Sequence, residues 1–401
     1  MLEIKPIFNA LRRSKVGAVL LLIQIAITTA IVSNAAFIIN DRITYLNQDT
    51  GYPEESIFSF GVMTFGKERD ISQQFEEDET MLRNMPGVID AALFSSVPLS
   101  GSGSSTSLRL KPEPQKSRTI PTAYLFADEH ALSTLGLTLA EGRNFDINEV
   151  LVTQDRSKLT EVAIVSRAFL NEAFPDGDGL GQMVYMGDAP FKIIGVVEHM
   201  KGPWLKSGAS DNVVIIPFIQ AQSYQQIVVR TAPEDRADIM KQMEDKMLAA
   251  YDKRVVVNVI GLDENKAQYN ASDVLMMRML MVLIVVLVAV TALGIFGLTL
   301  FNISKRTRQI GTRRALGARK SAIIRYFLIE NTMVCLAGLL IGAGLAVWLG
   351  HELISRFSVP PLSHTYVMIT AAVVLIMSLL AVIFPARRAA RISPSIATRS
   401  I

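Results

Sequence analysis

The chain has 401 residues, half of them hydrophobic and 19% charged, with a positive mean hydropathy. Soluble domains carry about 25% charged residues, so this composition leans towards a membrane protein with room for a sizeable globular part. A net charge of +3 is too near balance to point to nucleic acid, and it makes the placement of basic residues more informative than their number.

In chain order, residues 1–15 form a charged segment with Lys5, Arg12, Arg13 and Lys15. The apolar run Val16–Ile39 follows. Its 24 residues exceed the roughly 7–15 of a signal-peptide core, so it reads as a retained anchor and the first transmembrane helix, 16–39. Residues 40–272 then form one large domain. Strand-like runs, β-branched and aromatic, recur at Ile57–Thr64, Val88–Ser95, Thr119–Phe126, Glu161–Val165, Phe191–Val197, Val213–Pro217, Gln226–Arg230 and Arg254–Ile260. Helical patterns fall at about 71–85, 166–174 and 234–251. Charged residues at Lys67–Asp70 and Phe75–Glu79 read as a solvated helix face. The Ser/Gly-rich stretch Ser95–Ser107 lacks a GxSxG elbow and reads as a mobile loop. Asp176–Gly181 follows a calcium loop for three positions only, since Leu180 and Gly187 stand where ligands belong, and reads as a tight turn.

Three more apolar runs follow. The uncharged stretch Met279–Ile303 lies in a second helix over 273–303, a third helix covers 326–350, and a fourth covers 365–386. A basic segment, 304–325, separates the second and third, a short loop, 351–364, separates the third and fourth, and residues 387–401 form a tail. The 304–325 segment holds eight Lys or Arg residues and the tail holds Arg387, Arg388, Arg391 and Arg399, whereas 351–364 holds only Arg356. The positive-inside rule therefore places both termini and 304–325 in the cytoplasm, and 40–272 outside it. The fold class expected is an α-helical membrane domain of four transmembrane helices with an inserted α+β, two-lobed extracytoplasmic domain.

Catalytic chemistry finds little support. The single cysteine, Cys335, lies in an apolar run, and the four histidines stand apart without metal-ligand spacing. No GxxxxGK[ST] loop occurs, so no ATP hydrolysis by this chain is expected. Gly294 and Gly297 in the second helix, and Gly338, Gly342 and Gly344 in the third, allow close helix packing. Arg278 and Glu330, near span ends, fit snorkelling or interface pairing better than an ion pathway.

The basic segment has shape as well as charge. RTRQIGTRRALGA (Arg306–Ala318) reads as a short basic helix ended at Gly317, with FLIEN and GLLIGAG after it. Together with the ending FPARRAARISPSIA, these stretches resemble the permeases of the MacB/FtsX-like ABC transporter superfamily. GRNF (Gly142–Phe145), EVAIVSRAFLNEAFP (Glu161–Pro175), GLGQMV (Gly179–Val184) and FKIIGVVEHM (Phe191–Met200) resemble the MacB-type periplasmic core domain. The resemblance spans nearly the whole chain, and it implies that the second lobe of the outer domain is about 135–220, with the flanking segments completing the first.

It implies a multi-pass protein of the bacterial inner membrane. Two permease subunits, alike or similar, would pair in the bilayer, each docking an ABC ATPase subunit that binds ATP and Mg, and this chain would hold no cofactor. A periplasmic adaptor and an outer-membrane channel are further expected partners. The coupling residues implied are Arg306, Arg308, Ile310, Gly311, Arg313, Arg314, Leu316, Gly317 and Ala318, with Ile310 and Leu316 as the apolar anchors in the ATPase cleft. Unlike MacB itself the chain carries no fused ATPase, and Gln309 and Thr312 depart from the residues common in relatives. The function implied is efflux or envelope extraction of cargo, with lipoprotein or lipid release, or FtsX-like relay to a periplasmic partner, as alternatives. A purely topogenic basic loop is the plainer reading of 304–325.

Overall fold

A computed structural model describes residues 15–66, 70–113, 117–155, 158–206, 210–357 and 360–392. Residues 1–14, 67–69 and 393–401, and with them most of the N-terminal segment, Lys67 to Arg69 and much of the tail, lie outside the described residues. The chain divides into two compact units, Asp49–Ala271 and the helices on either side of it.

The helical unit contains α1 (Lys15–Leu46), α7 (Ala271–Lys305), α8 (Thr307–Ala315), α9 (Lys320–Phe357) and α10 (His364–Ala389). All but α8 are long and apolar enough to cross a membrane. At 1.5 Å per residue, the 38 residues of α9 span about 57 Å, well beyond the roughly 30 Å of a hydrocarbon core. The expected loop from residue 351 is therefore helical as far as Phe357. Helix α1 packs against α9 and α10, and α9 packs against α10. Apolar residues of all four long helices, among them Ile25, Ile295, Cys335 and Val374, share one buried cluster.

Several buried polar side chains pair between these helices, as a medium without water favours. Thr28 and Thr291 hydroxyls meet at 2.8 Å, joining α1 to α7. The Asn34 amide donates to the carbonyls of Ala30 and Ala346, each at 3.0 Å, and so ties α1 to α9. Asn331 donates to Ser378 at 3.2 Å between α9 and α10.

In the other unit, β1 (Ile57–Thr64), α2 (Ile71–Arg83), β2 (Val88–Phe94), β11 (Tyr224–Thr231), α5 (Arg236–Ala250) and β12 (Arg254–Gly261) form the first lobe. Its strand order is β12-β1-β11-β2, with β11 antiparallel to both β1 and β2, the pattern of two split βαβ units. Helix α6 (Leu262–Tyr269) follows β12. Phe58, Phe60, Phe75, Leu82, Leu93, Ile227 and Met243 fill its core.

The second lobe is inserted between β2 and β11. It comprises β3 (Ser104–Arg109), β4 (Thr119–Ala127), α3 (Ala131–Leu135), β5 (Leu139–Gly142), β6 (Leu151–Thr153), β7 (Val162–Ser166), α4 (Arg167–Ala173), β8 (Met183–Met186), β9 (Ala189–Val197) and β10 (Val213–Gln220). Pairing runs β4-β3-β8-β9-β7-β10, and β10 returns to β4 in parallel register, Val213 opposite Ala123. Leu108 and Ile120 sit in the same buried cluster as Phe169, Phe191 and Phe218. This core thus begins near residue 104, upstream of the expected 135.

Two local readings change. The Ser95–Ser107 stretch is not a free loop. Its Leu99 is buried, Leu99 and Gly101 donate to the carbonyls of Gly202 and Pro203 at 3.3 and 2.8 Å, and Ser104 starts β3. The Phe75–Glu79 segment is not a solvated face throughout. Asp78 and Glu79 are buried with Phe75, because each carboxylate finds an arginine, Asp78 in Arg254, whose Nη1 donates to both its oxygens at 2.8 Å, and Glu79 in Arg83 at 2.8 Å.

Candidate functional site

Among the described residues, the one short helix of the membrane unit is α8, built where the chain bends out of α7. Thr307 turns its hydroxyl back to the carbonyls of Ile303 and Ser304 at 3.1 and 2.9 Å, a local bond that competes with helix continuation. Arg306 sits at the break with φ −107° and ψ 14°. At the far end Gly317 takes φ +90°. Its amide donates to Arg314 and the Ala318 amide to Arg313, at 3.1 and 3.0 Å. These two bonds close a Schellman turn, which accounts for glycine at this position.

The two faces of this elbow differ. Ile310 and Gly311 are buried, and Ile310 joins the cluster that contains Ile323 and Phe327 of α9 and Ala386 and Ala389 of α10. Arg306 reaches α9, where Nη1 donates to Glu330 Oε2 at 2.9 Å and to the Tyr326 hydroxyl at 3.1 Å. Arg313 lies 5.3 Å over the Tyr326 ring. Arg314 caps the turn by donating to the Ala318 carbonyl at 3.0 Å. The opposite face carries Arg308, Gln309, Thr312, Arg313 and Leu316, all exposed, with Leu316 at 83%.

The nine expected coupling residues therefore serve two purposes. Ile310, Gly311, Arg306 and Arg314 brace the elbow against α9 and α10 or hold its turn. Arg308, Arg313, Leu316 and the Gly317 turn form an outward basic surface with one large apolar side chain. The expectation that Ile310 is an outward anchor is corrected: one face of a nine-residue helix must cover the core beneath it, and Ile310 lies on that face. Tyr326 and Glu330 belong to the brace. A carboxylate at the edge of an apolar span was their only sequence signal, and the Arg306 partner lies 24 residues away.

The packing glycines also divide. A Cβ at Gly338 would fall 2.9 Å from Ile25 Cβ and 3.1 Å from the Leu22 carbonyl, and one at Gly342 would fall 2.8 Å from the Ala26 carbonyl. Those two positions let α9 approach the α1 backbone. Gly294 lies beside the flexible end of Gln24, whose amide donates to Val290 at 3.0 Å. Nothing lies within 4 Å of a Cβ at Gly297 or Gly344, so these two do not serve packing among the described residues.

A buried acidic cluster marks the inserted domain. Glu79 of α2, Asp90 of β2 and Asp128 after β4 surround Arg83, while His130 lies 3.0 Å from Asp90. Burial, then the Asp128 charge, holds the Glu79 carboxyl well above the usual range, and burial raises Asp128 as well. Glu79 also accepts the Leu93 amide at 2.8 Å. With Glu79 met by Arg83 and the Leu93 amide, and Asp90 by Arg83, His130 and the Ala91 amide, the cluster is structural. No group of three or more metal-ligating side chains occurs among the described residues.

Comparison with known proteins agrees with both units. The model of the MacB-like periplasmic core domain matches residues 16–246, and that of the FtsX-like permease C-terminal region matches 281–394. The macrolide export ATP-binding/permease protein MacB of Pectobacterium atrosepticum is 31% identical over 66% of this chain and 41% of its own length. That of Shewanella sp. strain W3-18-1 is 29% identical over 65% and 40%. The chain thus spans about two fifths of the length of these relatives. The periplasmic region of MacB from Actinobacillus actinomycetemcomitans aligns with a TM-score of 0.34 at 16% identity, over 52% of this chain and 91% of that one.

Proposed function

Because the chain belongs to the MacB/FtsX-like ABC transporter permeases, we propose that it is the membrane subunit through which a separate ATPase moves the inserted domain, for efflux or extraction of cargo from the envelope. The observation that carries this reading is the two-faced elbow. A loop that only fixed topology would need charge and no shape, yet here a buried isoleucine and an arginine–glutamate pair hold a basic surface with an exposed Leu316 in one orientation. An exposed leucine ringed by arginines fits a partner that offers an apolar cleft with an acidic rim. In this reading α8 lies in the cytoplasm, ATP and Mg stay on the partner, and the inserted domain lies outside. Two such permeases pair in the inner membrane. Export as the outcome draws on the relatives, whose names describe macrolide export. An adaptor and an outer-membrane channel would extend the path.

The test is purification of the tagged chain in mild detergent from its own host. An ATPase with a P-loop should accompany it in roughly equimolar amount, and its vanadate-sensitive turnover should disappear when the two are separated. ATP turnover by the separated chain would overturn the proposal.

A further inference from the structure

Between the two lobes of the inserted domain lies a cavity of about 320 Å³, at the small end of the roughly 300–1,000 Å³ of ligand sites. Aromatic side chains form one side of it: Tyr124 and Phe126 of β4 are half-buried there and lie against the buried Phe94 of β2 and Phe218 of β10. The Phe126 and Phe218 rings meet at 4.8 Å and those of Tyr124 and Phe126 at 5.1 Å, so the wall is a packed surface rather than a set of loose side chains. Its rim is made of amides and a phenol from the end of β10, the turn after it and the start of β11. Gln225 donates to the carbonyls of Gln220 and Gln222 at 2.8 and 3.1 Å, and the Tyr224 hydroxyl donates to Gln226 at 2.9 Å. Those bonds fix the rim in place. Burial pushes the Tyr224 phenol up, so it stays protonated and neutral.

No Asp, Glu, Lys, Arg or His lines the cavity among the described residues. Elsewhere in the same domain Asp78, Glu79, Asp90, Arg109, Asp128 and Arg254 are buried charged groups. Leu93 and Ile219 of the wall belong to the core of the first lobe and Phe218 to that of the second, so an occupant would touch both.

We infer that this cavity is a binding site for an uncharged, ring-bearing amphipathic small molecule, whose rings lie on the Tyr124–Phe126 face and whose polar edge meets the glutamine rim. An aromatic wall of this kind favours planar or ring-shaped apolar bodies. Fixed amides give hydrogen bonds to neutral oxygen or nitrogen groups. An ionised group would find no counter-charge and would lose its water, so charge is rejected. The site stands on the cavity alone and does not depend on how α8 is used.

The test uses the full chain in lipid nanodiscs, with empty nanodiscs as the blank, and two fluorescent probes that share one ring system. N-phenyl-1-naphthylamine is neutral, and 1-anilinonaphthalene-8-sulfonate adds a negative charge. The neutral probe should bind more tightly by roughly tenfold or more, the least expected when a buried charge goes unpaired. Ser104→Phe places a benzyl group at the cavity edge and should abolish that binding. Gln222→Lys alters an exposed rim residue, leaves the fold alone, and should move preference towards the sulfonate. Equal affinity for the two probes, or neutral-probe binding that both variants leave unchanged, would place the probe in lipid and overturn the inference. If Ser104→Phe fails to fold, the shift or constancy of preference in Gln222→Lys decides alone.

Discussion

Single aspartate substitutions at Ile310 and Leu316 should have opposite consequences. Ile310 is 6% exposed and packs with Ile323, Phe327 and Ala386. Removing it forfeits about 1.5–3 kcal/mol of apolar burial. The aspartate adds several kcal/mol more as an unpaired carboxylate among apolar side chains. Against a typical total of about 5–15 kcal/mol, Ile310→Asp should lower the melting temperature and the membrane level of the permease outright. Leu316 is 83% exposed, so Leu316→Asp should change stability by no more than about 0.5 kcal/mol. Its effect should fall on the ATPase: an apolar anchor is replaced by a carboxylate at an acidic-rimmed cleft, and association should weaken by at least about tenfold. The assays are monodispersity after heating, read by size-exclusion chromatography, and retention of the ATPase on tagged permease. Equal melting of Ile310→Asp and the unsubstituted protein would refute the packing of the elbow. Undiminished ATPase retention by a stable Leu316→Asp would refute docking and return the segment to a topogenic role. Changing both residues at once would confound the two effects.

Gly342→Val should cost about 1–3 kcal/mol, because its Cβ meets Ala26 backbone that cannot move aside, whereas Gly344→Val should melt like the parent. Glu330→Gln strands Arg306 and should cost about 3–5 kcal/mol, and a second change, Arg306→Gln, should recover most of that in a double-mutant cycle. In the inserted domain the buried Glu79–Asp128 pair keeps a proton to higher pH than the unfolded chain does, so the stability it contributes is full below the ordinary carboxylate range and is lost as pH rises through the raised values. Around Arg83, Asp90, Glu129 and His130 the Glu79→Gln variant should flatten that fall, and melting curves across pH for parent and variant provide the check. An impermeant maleimide should label Asp178→Cys in intact cells and spare Arg319→Cys until the cells are opened; the reverse pattern would invert the proposed orientation.

What the sequence reveals follows the range of the forces involved. A run of about 20 uncharged residues has one stable medium, so all four spanning helices were legible, and strands such as Ile57–Thr64 stood out by their β-branched and aromatic content. Strand β3, SSTSLR, was not, because only Leu108 and Arg109 are buried and its order comes from pairing with β4. Asp78 and Glu79 read as solvated because Arg254, the partner that makes burial of Asp78 affordable, lies 176 residues on. The elbow shows the same limit at short range. Its nine residues are basic on every side, so no periodicity separates Ile310, which is buried, from Leu316, which is not.

On the proposed reading, these contacts also define a path for force. A push at Leu316 meets a turn fixed by Gly317 and cannot be absorbed by rotation of α8 alone, since Ile310 and the Arg306–Glu330 pair hold that helix to α9. Helix α9 is continuous from Lys320 to Phe357, so displacement at its first turns is carried along its length. At Gly338 and Gly342 the α1 backbone lies too close to slip past a side chain, and Asn34 adds a hydrogen bond to Ala346 one turn further on. The end of α1 at Leu46 leads directly into the inserted domain. Apart from the chain connection after Leu46, each link is a packed, hydrogen-bonded or charge-paired contact between helices, and a variant that loosens any of them while leaving ATPase association intact should uncouple ATP turnover from cargo movement.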